Sequence, residues 1–186
     1  MLAEEIKEIS EEDYLEFERK AESRHEYHNG EIFSMAGASR NHNLILTNIA
    51  GELRNQLRRR CRIYVNDMKV RIEETKSYVY PDIIITCGKE NFFDKTTDVL
   101  VSAEKMVIIE ILSDSTEAYD RGAKFYYYRN LPFLKAYLLV SQRDRRIEQF
   151  DKIENSKWRF SESDDNEITI EALECKLNLD DVYEDF

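Results

Sequence analysis

Glycine and proline are scarce in this 186-residue chain, at five and two residues. Flexible linkers draw on both, so a long linker is excluded, and the length suits one domain, residues 1–186, with a real core. Cysteine is scarce too: Cys61, Cys87 and Cys175 are odd in number, scattered and without a CxxC pair. That pattern predicts three reduced thiols rather than disulfides or a zinc knuckle, and with them a cytoplasmic location. No apolar run reaches the roughly 20 residues that span a bilayer, so no membrane partner is expected. The N-terminus, MLAEEIKEISEED, is acidic where a secretory leader is basic and then apolar.

Basic residues are outnumbered, 27 against 38 acidic, for a net charge of −11. That balance opposes nucleic-acid binding unless the charge is unevenly distributed, and it is. Residues 1–22 hold nine acidic and three basic side chains, and residues 161–186 hold ten and one, which leaves the middle at +4. Within it, Arg54, Arg58, Arg59, Arg60 and Arg62 form one cluster and Arg143, Arg145 and Arg146 another. Each reads either as solvated surface or as a patch that anchors phosphates.

What is present is the content of a globular fold: 42% hydrophobic residues, 11% of all residues aromatic. Ser10 heads a short helix to about residue 22, and Asn29-Gly30 marks a hairpin turn. Ser39 to Asn43 caps a second helix whose Ile45, Ile49, Leu53 and Leu57 define one buried stripe. From Arg62 to Ile72 the pattern is strand-like but changes parity, which predicts a bulge near Asp67. Tyr78 to Thr86 reads as a further strand with Pro81 near its start or at a break. Met106 to Leu112 is almost uniformly apolar, as for a central strand covered on both faces. Ser113, Ser115 and Thr116 cap a helix to about Asn130, Lys135 to Ser141 is another strand, and short antiparallel strands follow. The order implies a mixed α/β sheet with helices against it.

Glu110 lies in the middle of that central apolar run. A buried carboxylate costs several kcal/mol unless it is paired or binds a metal. Asp82, at the head of the preceding apolar strand, poses the same question. Each could be salt-bridged to a flanking helix; together they make an oxygen-rich pocket suited to Mg²⁺ or Mn²⁺.

Three segments in order, Tyr80-Pro81-Asp82, Val107 to Thr116 with Glu110 and the Ser113-Asp114-Ser115 turn, and Tyr119 to Tyr128 with Asp120 and Lys124, resemble the Uma-type restriction-endonuclease family of the PD-(D/E)xK nuclease superfamily. Ser39-Arg-Asn-His42 also matches; the Glu26 to Met35 region matches only loosely. The resemblance implies a restriction-endonuclease-like core, αβββαβ, with an N-terminal helix and hairpin and C-terminal strands. It implies Asp82 and Glu110 as the acidic pair. Leu112 stands where the superfamily's lysine is usual, and Lys124 on the next helix is its counterpart, unless it is an ordinary surface pair with Asp120. Two departures, Asp114 in place of a proline and the strand Ala136 to Gln142, touch no expected ligand.

The implied activity is metal-assisted phosphodiester hydrolysis, with DNA as the expected substrate and a homodimer as the expected assembly. Mg²⁺ or Mn²⁺ would be held by Asp82, Glu110 and the carbonyl of Ile111, with Lys124 stabilising the transition state. Asp67, Asp120 and His42 are expected to support these groups. Glu52 is a weak candidate for a second cation, His25 and His28 are expected to be exposed, and the tyrosines 126–128 to pack the helix. The rival is a catalytically inactive nucleic-acid-binding or interaction module of the same fold.

Overall fold

The computed structural model describes residues 8–186 apart from 36, 94, 97, 155–156 and 165. Helix α1 (Glu11–Lys20) begins where Ser10 Oγ accepts the Asp13 N–H, at 3.1 Å. A hairpin follows, β1 (His25–His28) and β2 (Glu31–Ser34), turned by Asn29 and Gly30, both at positive φ as a type I′ turn requires. Helix α2 (Arg40–Gln56) is capped by Ser39, whose Oγ accepts the His42 N–H. Strands β3 (Cys61–Val65), β4 (Lys69–Ile72), β5 (Ser77–Val79), β6 (Ile83–Phe92) and β7 (Val99–Ile111) come next. Helix α3 joins an α turn Glu117–Tyr119, a π turn Asp120–Lys124 and an α turn Phe125–Tyr128. Strands β8 (Leu134–Val140), β9 (Ile147–Lys152), β10 (Trp158–Glu162), β11 (Glu167–Ile170) and β12 (Cys175–Asn178) and helix α4 (Leu179–Val182) complete the chain.

The main sheet is mixed and runs β10-β9-β8-β7-β4-β5-β1-β2, with β6 on the other edge of β7 and β3 outside β6. Its hub is β7, antiparallel to β6 and parallel to β8 and β4. Side chains of β7 alternate between two cores. Val107, Ile109 and Ile111 pack with Ile45, Ile49, Leu53 and Leu57 of α2; Met106, Ile108 and Leu112 pack with Tyr128 of α3 and Leu134 and Tyr137 of β8. The stripe expected on α2 is the stripe that is buried. Parity puts Glu110 on the α3 face, and the pairing of Ile83 with Ile109 puts Asp82 beside it.

One strand boundary differs from the sequence expectation. The segment 62–72 is not one bulged strand: β3 ends at Val65, Asn66 turns with φ 61°, and β4 leaves for a different neighbour. In the segment 78–86 Pro81 stands at a break, one of its two expected places, because it cannot donate to a ladder. No helix among the described residues is long and apolar enough to cross a membrane.

The cysteine expectation is corrected. Cys61 and Cys87 are register partners on β3 and β6, and their Cα atoms lie 4.2 Å apart in a disulfide; Cys175 is free and buried. The sequence separation of 26 residues closes a loop whose cross-linking stabilises by about 3 kcal/mol in the chain-entropy view. Thiol titration of the unfolded protein should therefore find one reactive thiol before reduction and three after, with a lower Tm in the reduced protein. Three thiols without reductant would show that the bond does not form.

Candidate active site

Asp82 and Glu110 are linked through the backbone of the strands that carry them. The Asp82 N–H donates to Glu110 Oε2 at 3.2 Å, and the Ile111 N–H donates to Asp82 Oδ2 at 2.7 Å. In extended backbone a residue's N–H and carbonyl point to the same edge, so the Ile111 carbonyl faces the same side as Asp82. The second Asp82 oxygen, Oδ1, lies 3.1 Å from His42 Nε2. His42 reaches it because Ser39 caps α2 there and donates to Gln142 Oε1, while Gln142 Nε2 donates to the Leu112 carbonyl just beyond β7. His42 is thus a buried partner of Asp82 rather than a surface residue.

Lys124 is buried, which overturns its reading as a surface pair. Its Nζ lies 3.1 Å from Glu110 Oε1, 3.4 Å from Asp120 Oδ1 and 3.4 Å from Glu26 Oε1. The π turn helps to aim it. Four residues of an α-helix overshoot a full turn by about 40°; the wider turn takes up part of that drift, so that Asp120, Lys124 and Tyr128 all face the sheet and are all buried. Tyr128 donates its hydroxyl to Glu110 Oε1 at 2.7 Å, and Tyr137 donates to the Asp120 carbonyl at 3.0 Å.

Glu26 is the member that the sequence did not reveal. From β1 it accepts the Tyr80 N–H at 3.1 Å and the Tyr119 hydroxyl at 2.8 Å, and His28 Nε2 lies 3.6 Å away. His25 and His28 were expected to be exposed; their side chains are only 12% and 10% accessible, held by Glu18 and by Tyr119 and Ser77. Asp67 does not join the cluster. Its side chain is 70% accessible and pairs with Arg24 at the cavity rim. Glu52 lies on the fourth turn of α2, away from the cavity. Of the tyrosines, Tyr128 is core, Tyr127 stacks on His28 and Tyr126 is exposed. The arginine cluster 54–62 begins about 18 Å along α2 from His42, and Arg60 and Arg62 are engaged by Glu174 and Glu90. That cluster cannot anchor phosphates at this site.

Above these groups opens a cavity of about 1240 Å³. Burial pushes the Glu110 carboxyl well above its ordinary range; Lys124 pulls against that, while Asp82 and Asp120 reinforce it. Burial opposes charge on Lys124, but Glu110, Glu26, Asp120 and Asp82 outweigh it and hold the ammonium well above its usual value. For Glu26 burial is again the largest influence, yet Lys124, His28, the Tyr80 N–H and Tyr119 together bring it down to about 2.

A carboxyl raised in the folded state lends stability below its unfolded value, here 4.5, and loses it as pH rises through the folded value. In chelator, the Tm of Glu110→Gln minus that of the wild type should therefore grow as pH rises from 4.5 towards neutrality. A difference that is flat or shrinking would show that Glu110 is an ordinary ionised partner of Lys124.

The sequence model of the Uma2 family, described as "Putative restriction endonuclease", matches residues 11–180. The chain is 33% identical over 179 residues to the protein slr1290 of Synechocystis sp. (strain ATCC 27184 / PCC 6803 / Kazusa), covering 94% of this chain and 91% of that one. It is 34% identical over 151 residues to sll1609 of the same organism, covering 81% and 84%. A crystal structure titled as "a putative nuclease belonging to DUF820", from Anabaena variabilis ATCC 29413, matches with a TM-score of 0.74 at 13% identity, over 92% of this chain and 96% of that one. At such identity the likeness is one of fold, and the fold is restriction-endonuclease-like. The family match spans all of the elements that build the site, from β1 to β8, and the chain belongs to the Uma2 family.

Proposed function

We propose that the chain is a metal-dependent nuclease that hydrolyses phosphodiester bonds, with DNA as the expected substrate. The observation that carries this reading is the juxtaposition of Asp82 and Glu110 across β6 and β7, with the Lys124 ammonium 3.1 Å from Glu110, beneath an open cavity. The family description and the fold of the Anabaena variabilis protein agree with it.

The donor set suits a hard divalent cation. Among the described residues no three His, Cys, Asp or Glu side chains already surround a common metal position; the set is two carboxylates and the Ile111 carbonyl. All three are oxygens, as Mg²⁺ or Mn²⁺ prefers. The charge also fits: Glu26, Asp82, Glu110 and Asp120 share one lysine, and the raised Glu110 marks the uncompensated negative charge. A bound Mg²⁺ or Mn²⁺ would supply Lewis acidity and a water of lowered pKa.

The remaining work falls to the chain's own groups. His42 and the Ile111 N–H fix both oxygens of Asp82, so its carboxylate cannot swing away from the cavity. Tyr128 holds Glu110 from below. Lys124 offers its ammonium to the negative charge that grows on the phosphoryl oxygens, while Asp120 and Glu26 keep it in place. With a duplex substrate, a symmetric homodimer would cut both strands most simply.

Two measurements test the reading. Mn²⁺ should raise the Tm of the wild type, and Asp82→Asn and Glu110→Gln should each abolish the rise, because a ligand bound to the native state alone stabilises it. A rise that survives in both variants would place the cation elsewhere.

Cleavage of plasmid and of single-stranded DNA and RNA with Mg²⁺ or Mn²⁺ should then fall about 10²-fold in Lys124→Ala, the scale for losing one preorganised electrostatic contact. Because Lys124 is buried among carboxylates, the same change should also cost about 3–5 kcal/mol in the metal-free protein. Rates are therefore compared per folded, Mn²⁺-bound molecule. Lys124→Arg should recover little, since a planar guanidinium does not replace a compact ammonium. Equal rates in wild type and Lys124→Ala would remove Lys124 from the chemistry. Mn²⁺ binding with no cleavage of any substrate would favour the inactive binding module.

A further inference from the structure

Away from Lys124 the cavity above the site offers little positive charge to a phosphate backbone. Two of its lining side chains are basic, Arg24 and Lys124, against seven carboxylates. Both are already committed, Arg24 to Asp67 and Lys124 to three carboxylates. Of the neighbouring arginines, Arg143 pairs with Asp114 and Glu117 and Arg121 with Glu117 and Glu148, while Arg40, next to the lining Ser39, is exposed and bonds only to Asn41. Contacts to phosphate normally supply most of the affinity of a nucleic-acid-binding surface. Here that source is sparse.

One wall offers another. Phe33 of β2 lines the cavity and is 47% exposed, and among the similarly exposed phenylalanines it is the one that faces this cavity. It packs against His28, with ring centroids 5.6 Å apart, and His28 stacks on Tyr127 at 4.6 Å and 22°. His28 is bonded to Tyr119, Tyr119 to Glu26, and Glu26 lies against Lys124. The aromatic row therefore runs from the cavity wall to the proposed reaction centre. His28 packs against Phe33 from one side, and about half of the Phe33 surface stays exposed.

Resting on the nuclease reading, we propose that Phe33 is a nucleobase-stacking subsite and that the substrate is an unpaired strand, single-stranded or flipped out of a duplex. Stacking on an aromatic side chain is tolerant of sequence and needs no basic groove. Bases inside a duplex cannot present a face to Phe33, and enzymes that act within a pocket take the nucleotide out of the stack. An unpaired strand also needs a single centre, which removes the reason for a homodimer.

The test measures binding apart from cleavage. Fluorescently labelled 12-mers of thymidylate, of uridylate, of duplex DNA and of an abasic DNA strand are titrated by anisotropy in Ca²⁺. The single strands should bind best, whether DNA or RNA, and the abasic strand and duplex markedly more weakly. Phe33→Leu should weaken single-strand binding by about tenfold, within the range for loss of one base–aromatic stack, and Phe33→Tyr should restore it. Phe33 is half exposed, so neither change should move the Tm or the Mn²⁺ response. Equal binding of abasic and normal strands, no effect of Phe33→Leu, or no binding at all would each overturn the subsite. Phe33-dependent binding without cleavage would keep the subsite and sink the nuclease reading; cleavage of closed-circular duplex that ignores Phe33→Leu would do the reverse.

Discussion

Lys124 presents one ammonium to Glu110, Asp120 and Glu26, and all four side chains are nearly closed to water. In that setting each isolated ion would cost several kcal/mol, and the mutual attraction offsets the cost only while the geometry is kept. The groups come from three parts of the chain: Glu26 from the N-terminal hairpin, Glu110 from the central strand, Asp120 and Lys124 from α3. One cation therefore ties the hairpin, the sheet and the helix to each other. The Asp82 N–H and the Tyr119 hydroxyl satisfy the second oxygens of Glu110 and Glu26, and the Tyr128 hydroxyl and the Tyr80 N–H add to the oxygens that face Lys124. Shifting any one element by a turn or a register would strand a charge.

The backbone that keeps this register is apolar. Around Glu110, β7 is walled by Ile108, Ile109 and Ile111, which are buried between α2 and α3. Fully burying such a side chain contributes about 1.5–3 kcal/mol, so a few of them outweigh the cost of one ionisable neighbour. Pro81 ends the β5 ladder, and at the next residue the Asp82 carbonyl accepts the Asn66 N–H, its N–H donates to Glu110 and its carboxylate reaches the end of β7. The Ser39 cap performs the matching task on the other face. It starts α2 one turn from His42 and, through Gln142, fixes that start to the end of β7.

Asp82 and Glu110 were legible in the sequence because each broke a local pattern, a carboxylate in or beside an apolar strand; Lys124 broke none and came from the family resemblance. Glu26 broke none. It sits beside Tyr27, and both are buried, Tyr27 towards α1 and Glu26 towards Lys124. No period-two alternation marks that strand, so a buried glutamate there looks like any glutamate in a hairpin. The parity slip near Asp67 was visible, but a slip cannot tell a bulge from a strand that changes neighbours. The disulfide depends on the register of β3 against β6, which no spacing of cysteines encodes. The arginine clusters were visible too; their partners were not. Arg60 meets Glu174, Arg145 meets Asp180 and Arg159 meets Glu171, so the acidic C-terminal segment folds back onto the basic middle. Charge that is segregated along the sequence is mixed in space.

That mixing decides what kind of surface is left for a polyanion. Charges further than about 8–10 Å from a site are largely screened at physiological ionic strength, so the remote arginines do little for a phosphate in the cavity. The carboxylates that line it repel the same phosphate at close range. A strand can approach only if cations neutralise the floor or if contact with its bases outweighs the repulsion, and the geometry allows both at once. Asp82 and Glu110 lie on the floor, while Phe33 stands on the wall with no charge to screen. On the proposed reading, a cation held by Glu110 would take away one of three partners of Lys124. Glu26 and Asp120, each 3.4 Å from the ammonium, would remain to hold it in position. That would give the hairpin glutamate a reason to be buried that neither β1 nor the core supplies. It would let the lysine stay fixed through a change in the charge of its nearest neighbour.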